Sequence, residues 1–269
     1  MHKAVFRKFL ALSCGAMPAA ATGGVLQPTD KWDLDFGDTQ CTAARPFGST
    51  SSPTVFAILP SVSGRSFDLF VSVEQKGPTY AEEEPGSVDF GHGEMRSWRL
   101  HYAGKSGRFN TYQYRLSAAQ MEQARSASLV RVRVDGGNVY AFALSAMPAL
   151  LDGLIKCTAD LQQRWHYGSA ASGTARSPAG DVRHLFSPSD YPAEAVQRDQ
   201  QGTAQYELLV DETGAVARCD VLSPSGVPAL DWMGCHVIKE RAKFRPAVDK
   251  HSIPIRGVLT TPPISWILG

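Results

Sequence analysis

The sequence predicts an α+β protein: a mostly β N-terminal domain with a packed C-terminal helix, followed by a small ββαβ C-terminal domain on an antiparallel three-stranded sheet. Three observations carry this prediction. Short β-branched or aromatic runs separated by turn residues fill the N-terminal half. One stretch, GSAASGTARSPAG from Gly168 to Gly180, has the small, flexible composition of a linker and no apolar period. Beyond it the apolar period changes from that of a strand to that of a helix, and then back. The implied boundaries are a signal peptide over 1–21, a β-rich domain over 22–166, a linker over 167–183 and a C-terminal domain over 184–269.

The N-terminus reads as an export signal. His2, Lys3, Arg7 and Lys8 form a basic start, Phe9 to Met17 is a short apolar run, and Ala19-Ala20-Ala21 offers small residues at the cleavage positions. Removal after Ala21 is expected. The uncharged stretch to Pro28 lacks the roughly 20 strongly apolar residues of a spanning helix. If it stayed uncleaved, it would instead anchor the protein to the inner membrane.

In the N-terminal domain, strands are expected at Trp32 to Phe36, Val55 to Leu59, Phe67 to Val73, Trp98 to Tyr102, Tyr112 to Leu116, Leu129 to Val134 and Asn138 to Leu144. A helix capped by a serine is expected from Ser117 to Ala127. A second helix, Pro148 to Trp165, places Leu150, Leu151, Leu154, Ile155, Thr158, Leu161 and Trp165 on one face that should lie on the sheet. Glu82-Glu83-Glu84 reads as a solvated loop.

In the C-terminal domain, Ala204, Tyr206, Leu208 and Val210 alternate with more polar neighbours from Gly202 to Val210, which suits a strand with one buried face. Asp211 to Gly214 supplies a turn, and Val216 to Leu222 returns as a hairpin partner. Ser223-Pro224-Ser225-Gly226 ends that strand. From Ala229 to Ala242, Leu230, Met233, Gly234, Val237, Ile238 and Arg241 recur at helical spacing. Lys239, Arg241, Lys243 and Arg245 complement the carbonyl end of the helix, and Pro246 cannot continue it. The apolar residues from Ile253 to Leu268 read as a closing strand. Pro262 and Pro263 interrupt it, so it should be an edge or bulged strand rather than a central one.

The ordered set Tyr191-Pro192, Gly202, the turn ending at Gly214, Ser223 to Gly226 and Phe244-Arg245-Pro246-Ala247 resembles the TonB C-terminal domain family over about Pro188 to Leu268. The resemblance implies a Gram-negative envelope address, a link to transmembrane transport, and binding of a receptor segment by strand addition. The implied partner is an envelope protein such as an outer-membrane receptor. The matching surface is Tyr191 and Pro192 with Val258, Leu259, Thr260, Thr261, Ile264 and Trp266. Two such edges can also pair with each other to give a homodimer. Energy transducers of this family have a membrane anchor and a long spacer before the domain. This chain shows neither, so a periplasmic binding role is expected, with an anchored transducer as the alternative.

Chemistry is sparse. No nucleophile elbow, zincin helix, phosphate loop or dinucleotide fingerprint is present, and no catalytic residue or cofactor is expected. Gly91-His92-Gly93-Glu94 is the best candidate for a hydrolase, with a histidine and a carboxylate two apart. Its plainer reading is a hairpin turn. His101 and Tyr102 read as sheet surface, and His166 as a helix-end residue. With 27 basic and 26 acidic residues, loss of Lys3, Arg7 and Lys8 leaves a mature net charge of about −2, without a nucleic-acid footprint.

Five cysteines less Cys14 leave four in an exported chain, so two bridges are expected. Cys219 on a strand and Cys235 on the helix after it would close a loop of about 15 residues, contributing about 3 kcal/mol in the chain-entropy model. Cys41 then pairs with Cys157. A zinc site at Cys219, Cys235 and His236 lacks paired-ligand spacing, and no metal is expected. Purified from its own cells, the protein should begin near Thr22 and appear in the soluble periplasmic fraction. N-terminal sequencing that found an intact Met1 in the inner membrane would restore the anchored reading.

Overall fold

The computed structural model describes residues 24–74, 82–103, 109–134, 138–168 and 173–269, with the side chains of 82–84 and 98–103 set aside. The expected signal peptide over 1–21, and Cys14 within it, lie outside the described residues. The chain forms two compact units, Met1–Thr158 and Ala159–Gly269. The architecture is α+β.

The first unit is one ten-stranded sheet made of β1 (Val25–Leu26), β2 (Asp33–Phe36), β3 (Cys41–Gly48), β4 (Pro53–Pro60), β5 (Ser66–Glu74), β6 (Glu82–Asp89), β7 (Met95–Ala103), β8 (Phe109–Ser117), β9 (Leu129–Arg133) and β10 (Val139–Ala143). Their order is β1-β10-β9-β6-β7-β8-β5-β4-β3-β2. The sheet closes on itself just after β1. Gly48 N donates to Gln27 O at 2.9 Å, Thr29 N donates to Pro46 O at 3.0 Å, and Pro28 is bridged to Phe47. The interior is aromatic. Phe142 of β10 stacks on Phe56 of β4 at 5.1 Å and meets Phe47 of β3 edge to face at 5.0 Å. Strands far apart in sheet order can touch in this way only across a closed interior.

The expected strands are present, with three further ones, β1, β3 and β6. β3 reads CTAARPFG and β6 reads EEEPGSVD, so their alanines, glutamates, prolines and glycines gave no hint of pairing. The Glu82 to Glu84 stretch, read as a solvated loop, is the start of β6, with its side chains outside the described ones. The helix expected over Ser117 to Ala127 is α1 (Ala118–Glu122) followed by a 3-10 turn, Gln123–Ser126. Ser117 caps it reciprocally with Gln120. The second helix, α2 (Met147–Arg164), buries Leu150, Leu151, Leu154, Cys157 and Leu161 but leaves Ile155 half exposed. Cys157 is bridged to Cys41 of β3, with Cα atoms 6.0 Å apart.

The second unit is built on β12 (Gly202–Val210), with β11 (Thr174–Arg176) preceding it in sequence. β13 (Val216–Ser223) pairs along one side of β12, antiparallel, while β16 (Gly257–Thr260) and β17 (Ile264–Trp266) share the other. α3 (Ala193–Gln197) leads into β12, and α4 (Pro228–Arg241) covers the face of Ala204, Tyr206, Leu208 and Val210. Close approach is possible because residue 234 is glycine. A Cβ there would lie 1.9 Å from the Tyr206 hydroxyl oxygen. Cys219 of β13 is bridged to Cys235 of α4.

Two sequence readings change here. The stretch read as linker contains β11, which pairs with β14 (Ala247–Asp249), and β14 in turn pairs with β15 (Pro254–Ile255). Small residues suit this close packing; Gly257, for example, has the Pro178 ring and the Ala247 methyl so near that a Cβ would sit within 3.0 Å of both. The closing strand read from Ile253 onward is divided among β15, β16 and β17, because a chain with two adjacent prolines cannot donate continuously. Thiol labelling of the denatured, unreduced protein should find none of Cys41, Cys157, Cys219 and Cys235 free. Under mild reductant without denaturant, Cys219 and Cys235 should label before Cys41 and Cys157, since Cys235 is half-buried while Cys41 and Cys157 are each 1% exposed.

Candidate functional site

The last strand forms the outer side of the second sheet, and its interruption is built with care. Thr261, 2% exposed, takes over the pairing between β16 and β17. Its N–H donates to Tyr206 O at 2.9 Å, its Oγ1 accepts from Tyr206 N at 3.1 Å, and its carbonyl accepts from Gln205 Nε2 at 2.9 Å. Pro262 and Pro263 are then exposed. Val258, Leu259, Thr260 and Ile264 pair with β12, while Thr203 and Ser265 hydroxyls meet at 3.0 Å.

Both faces of this sheet are covered within the unit. α4 and the core lie on one. On the other, where Glu207 and Leu209 point, the Tyr167 hydroxyl donates to Glu207 Oε1 at 2.9 Å. Arg256, just before β16, lies over the Trp165 ring at 5.2 Å, and His166 Nδ1 bonds its carbonyl at 3.0 Å. Glu207 and Leu209 are 5% and 1% exposed.

Tyr191 and Trp266, 75 positions apart in sequence, come together. The Tyr191 and Phe186 rings each meet the Trp266 ring edge to face, at 5.5 and 5.4 Å. The Tyr191 hydroxyl donates to Gln200 O at 2.6 Å, and burial pushes that phenol up. Pro192 leads into α3. The approach is locked by a buried Asp190, in the 3-10 turn Pro188–Asp190. Arg241 donates to both of its carboxylate oxygens at 2.7 and 2.6 Å and also to Leu185 O. Ser187 N adds a bond at 2.8 Å. The Arg241 guanidinium, aided by Ser187, holds the Asp190 carboxyl well below the usual carboxylate range against the opposing effect of burial. Phe186 did not stand out in the sequence, and neither did the pairing of Asp190 with Arg241, because an Asp and an Arg 51 positions apart carry no local pattern.

The remaining family-motif residues lie in the scaffold rather than at the edge. Gly214 has φ +82°, and a Cβ there would lie 2.0 Å from Phe244 O; Phe244 N donates to Gly214 O at 2.9 Å. Arg245 exchanges both backbone bonds with Ala179 just ahead of Pro246 and β14. A Cβ on Gly202 would meet Ser225 O at 2.6 Å, and Ser223 pairs with Gln205.

Gly91 to Glu94 forms the hairpin between β6 and β7, with Asp89 Oδ1 accepting from Gly91 N and Gly93 N at 2.7 and 3.2 Å. His92 Nε2 lies 3.4 Å from Ser126 Oγ, whereas Glu94 is bonded to Ser87 Oγ and Arg133. The Ser87 and Arg133 bonds lower the Glu94 pKa, which suits a fixed anion rather than a proton carrier. The sequence-level acid/base pair is therefore not assembled. The zinc reading of Cys219, Cys235 and His236 falls as well, since both sulfurs are bridged. Among the described residues no cluster of metal-ligating side chains occurs, and no helix is long and apolar enough to cross a membrane. The side chains of His101 and Tyr102 lie outside the described ones.

Residues 187–268 match the family model TonB_C, the Gram-negative bacterial TonB protein C-terminal. This segment is similar to the TonB C-terminal domain family. The match supports a TonB-like envelope protein linked to transport, and the N-terminal unit stays outside it. No curated protein and no solved structure matches the chain.

The Asp190 carboxyl is depressed in the folded state relative to an unfolded value of about 3.9. Its stabilising contribution is therefore complete above about pH 4 and is lost as pH falls toward the folded value. Asp190→Asn should be less stable than the parent at pH 7. In thermal melts from pH 7 down to pH 2, the gap between the two should narrow below about pH 4.

Proposed function

We propose that the protein is exported to the periplasm and binds an envelope protein there, taking an extended segment of that partner as an added strand on the outer edge of β16 and β17. The observation that carries this reading is the covering of both sheet faces, which leaves edges as the surfaces where backbone groups can be offered. Main-chain bonds along such an edge provide affinity, and side-chain pockets beside it provide choice. The aromatic group of Tyr191 and Trp266 lies at the β17 end. The two prolines shorten the ladder, so the partner segment is held in two short registers, one on Gly257–Thr260 and one on Ile264–Trp266. An outer-membrane receptor of the transport machinery is the partner class that the family match favours. A membrane-anchored transducer is the second reading; it depends wholly on the fate of the N-terminal segment.

The test is photo-crosslinking in the protein's own cells, with benzoylphenylalanine placed in turn at Thr260, Ser265 and, as a control on the opposite edge, Leu222. Thr260 and Ser265 should capture the same envelope protein, and Leu222 should not. Equal capture from all three positions, or a pull-down in which deletion of residues 181–269 changes no partner, would sink the proposal.

A further inference from the structure

Trp266 ends β17 and is 5% exposed, and its indole Nε1 is fully enclosed without a hydrogen-bond partner among the described residues. Buried donors are nearly always paired, and one left unpaired carries the cost of its lost water. The enclosure is apolar. Phe186 and Tyr191 flank the indole edge to face, and Ala195, Val227, Leu230 and Met233 complete the cluster.

The two flanking rings are held differently. Tyr191 is tied through its hydroxyl to Gln200 O and through its neighbour Asp190 to Arg241. Phe186 is half-buried, and its ring has no polar anchor; only the neighbouring Leu185 carbonyl is fixed, by Arg241. Phe186 is thus the less firmly anchored of the two flanking rings.

We propose that Trp266 is a specificity-determining residue of the edge site: when an extended partner segment adds to β17, Phe186 moves aside and the indole N–H donates to an uncharged side-chain oxygen of that segment, from Ser, Thr, Asn or Gln. This rests on the strand-addition reading and deepens it. Side chains alternate across a sheet, so every second residue of an added strand faces the same side as Ile264 and Trp266. A carboxylate is a poor acceptor here, because the surrounding apolar side chains penalise a buried charge far more than a neutral oxygen. The interrupted edge also offers few main-chain bonds, which raises the share of recognition that side chains must supply.

The experiment uses phage-displayed heptapeptides selected on the whole mature chain, with their contact located by crosslinking from benzoylphenylalanine at Ser265. Selected peptides are then compared on the parent chain and on a chain in which Trp266 is replaced by benzothienylalanine, an isostere without the N–H; Trp266→Phe serves as a second variant. The expected result is a fixed Ser, Thr, Asn or Gln in the selected peptides and binding about tenfold weaker to the isostere, equivalent to about 1.4 kcal/mol. The melting temperature of the isostere should be unchanged or higher, since the free domain loses an unpaired donor. A purely structural tryptophan would give the reverse: a lower melting temperature and unchanged affinity. Peptides that crosslink from Ser265 yet bind both chains equally overturn this inference and leave strand addition standing. If no selected peptide reaches Ser265, strand addition itself fails, and this inference with it.

Discussion

The Tyr206 ring lies against the backbone of α4 at Gly234, so close that no side chain fits between them, and the same residue's backbone bonds Thr261 in both directions. One residue thereby fixes two things at once. Its side chain sets the distance between sheet and helix, and its main chain sets the place where the last strand breaks. Tyr206 is 0% exposed, so its position is over-determined by the core around it. The Cys219–Cys235 bridge then joins the neighbouring strand to the same helix. The shape of the outer edge follows from these constraints, which lie entirely within the domain.

That edge is a compromise between availability and protection. A long, open strand edge invites pairing with any extended chain, and proline is one of the devices that prevents it. Here the two prolines leave four paired residues in β16 and three in β17, separated by a Thr261 whose polar groups are already used. Such an edge offers few backbone groups for pairing. The aromatic group at its end, held by the Asp190–Arg241 clamp, supplies a side-chain surface that a bare edge lacks. The cover on the second face, through Trp165 and Tyr167, keeps the sheet from offering a flat apolar surface.

The N-terminal unit solves the edge problem differently. By closing after β1 it hides most of its strand edges, with the short outer edge of β2 left among the described residues. Phe47, Phe56 and Phe142 meet in its interior, joining strands that are distant in sheet order. The Cys41–Cys157 bridge fixes α2 to β3 and, in the chain-entropy model, a loop of that length stabilises by about 5 kcal/mol. The candidate acid/base pair at His92 and Glu94 dissolves into a hairpin with two separately bonded side chains.

The sequence by itself determined what local periodicity and chemistry can encode. The alternation from Gly202 to Val210, the helical face from Leu230 to Ile238, the turn at Gly214 and the proline break all act within a few residues of themselves, and each appears in the structure near its expected place. The even count of cysteines left after Cys14 pointed to bridges on the expectation of an oxidising compartment. Tertiary structure alone decided the rest. β3 and β6 are strands because their neighbours offer a ladder, against their own composition. The linker-like stretch contributes β11 because β14 is beside it. Tyr191, Phe186 and Trp266 form one group, and Asp190 finds Arg241, through contacts between distant segments that leave no trace in local sequence. Such contacts form only after the sheet has closed, and for that reason the candidate site was legible as a set of motifs but not as a geometry.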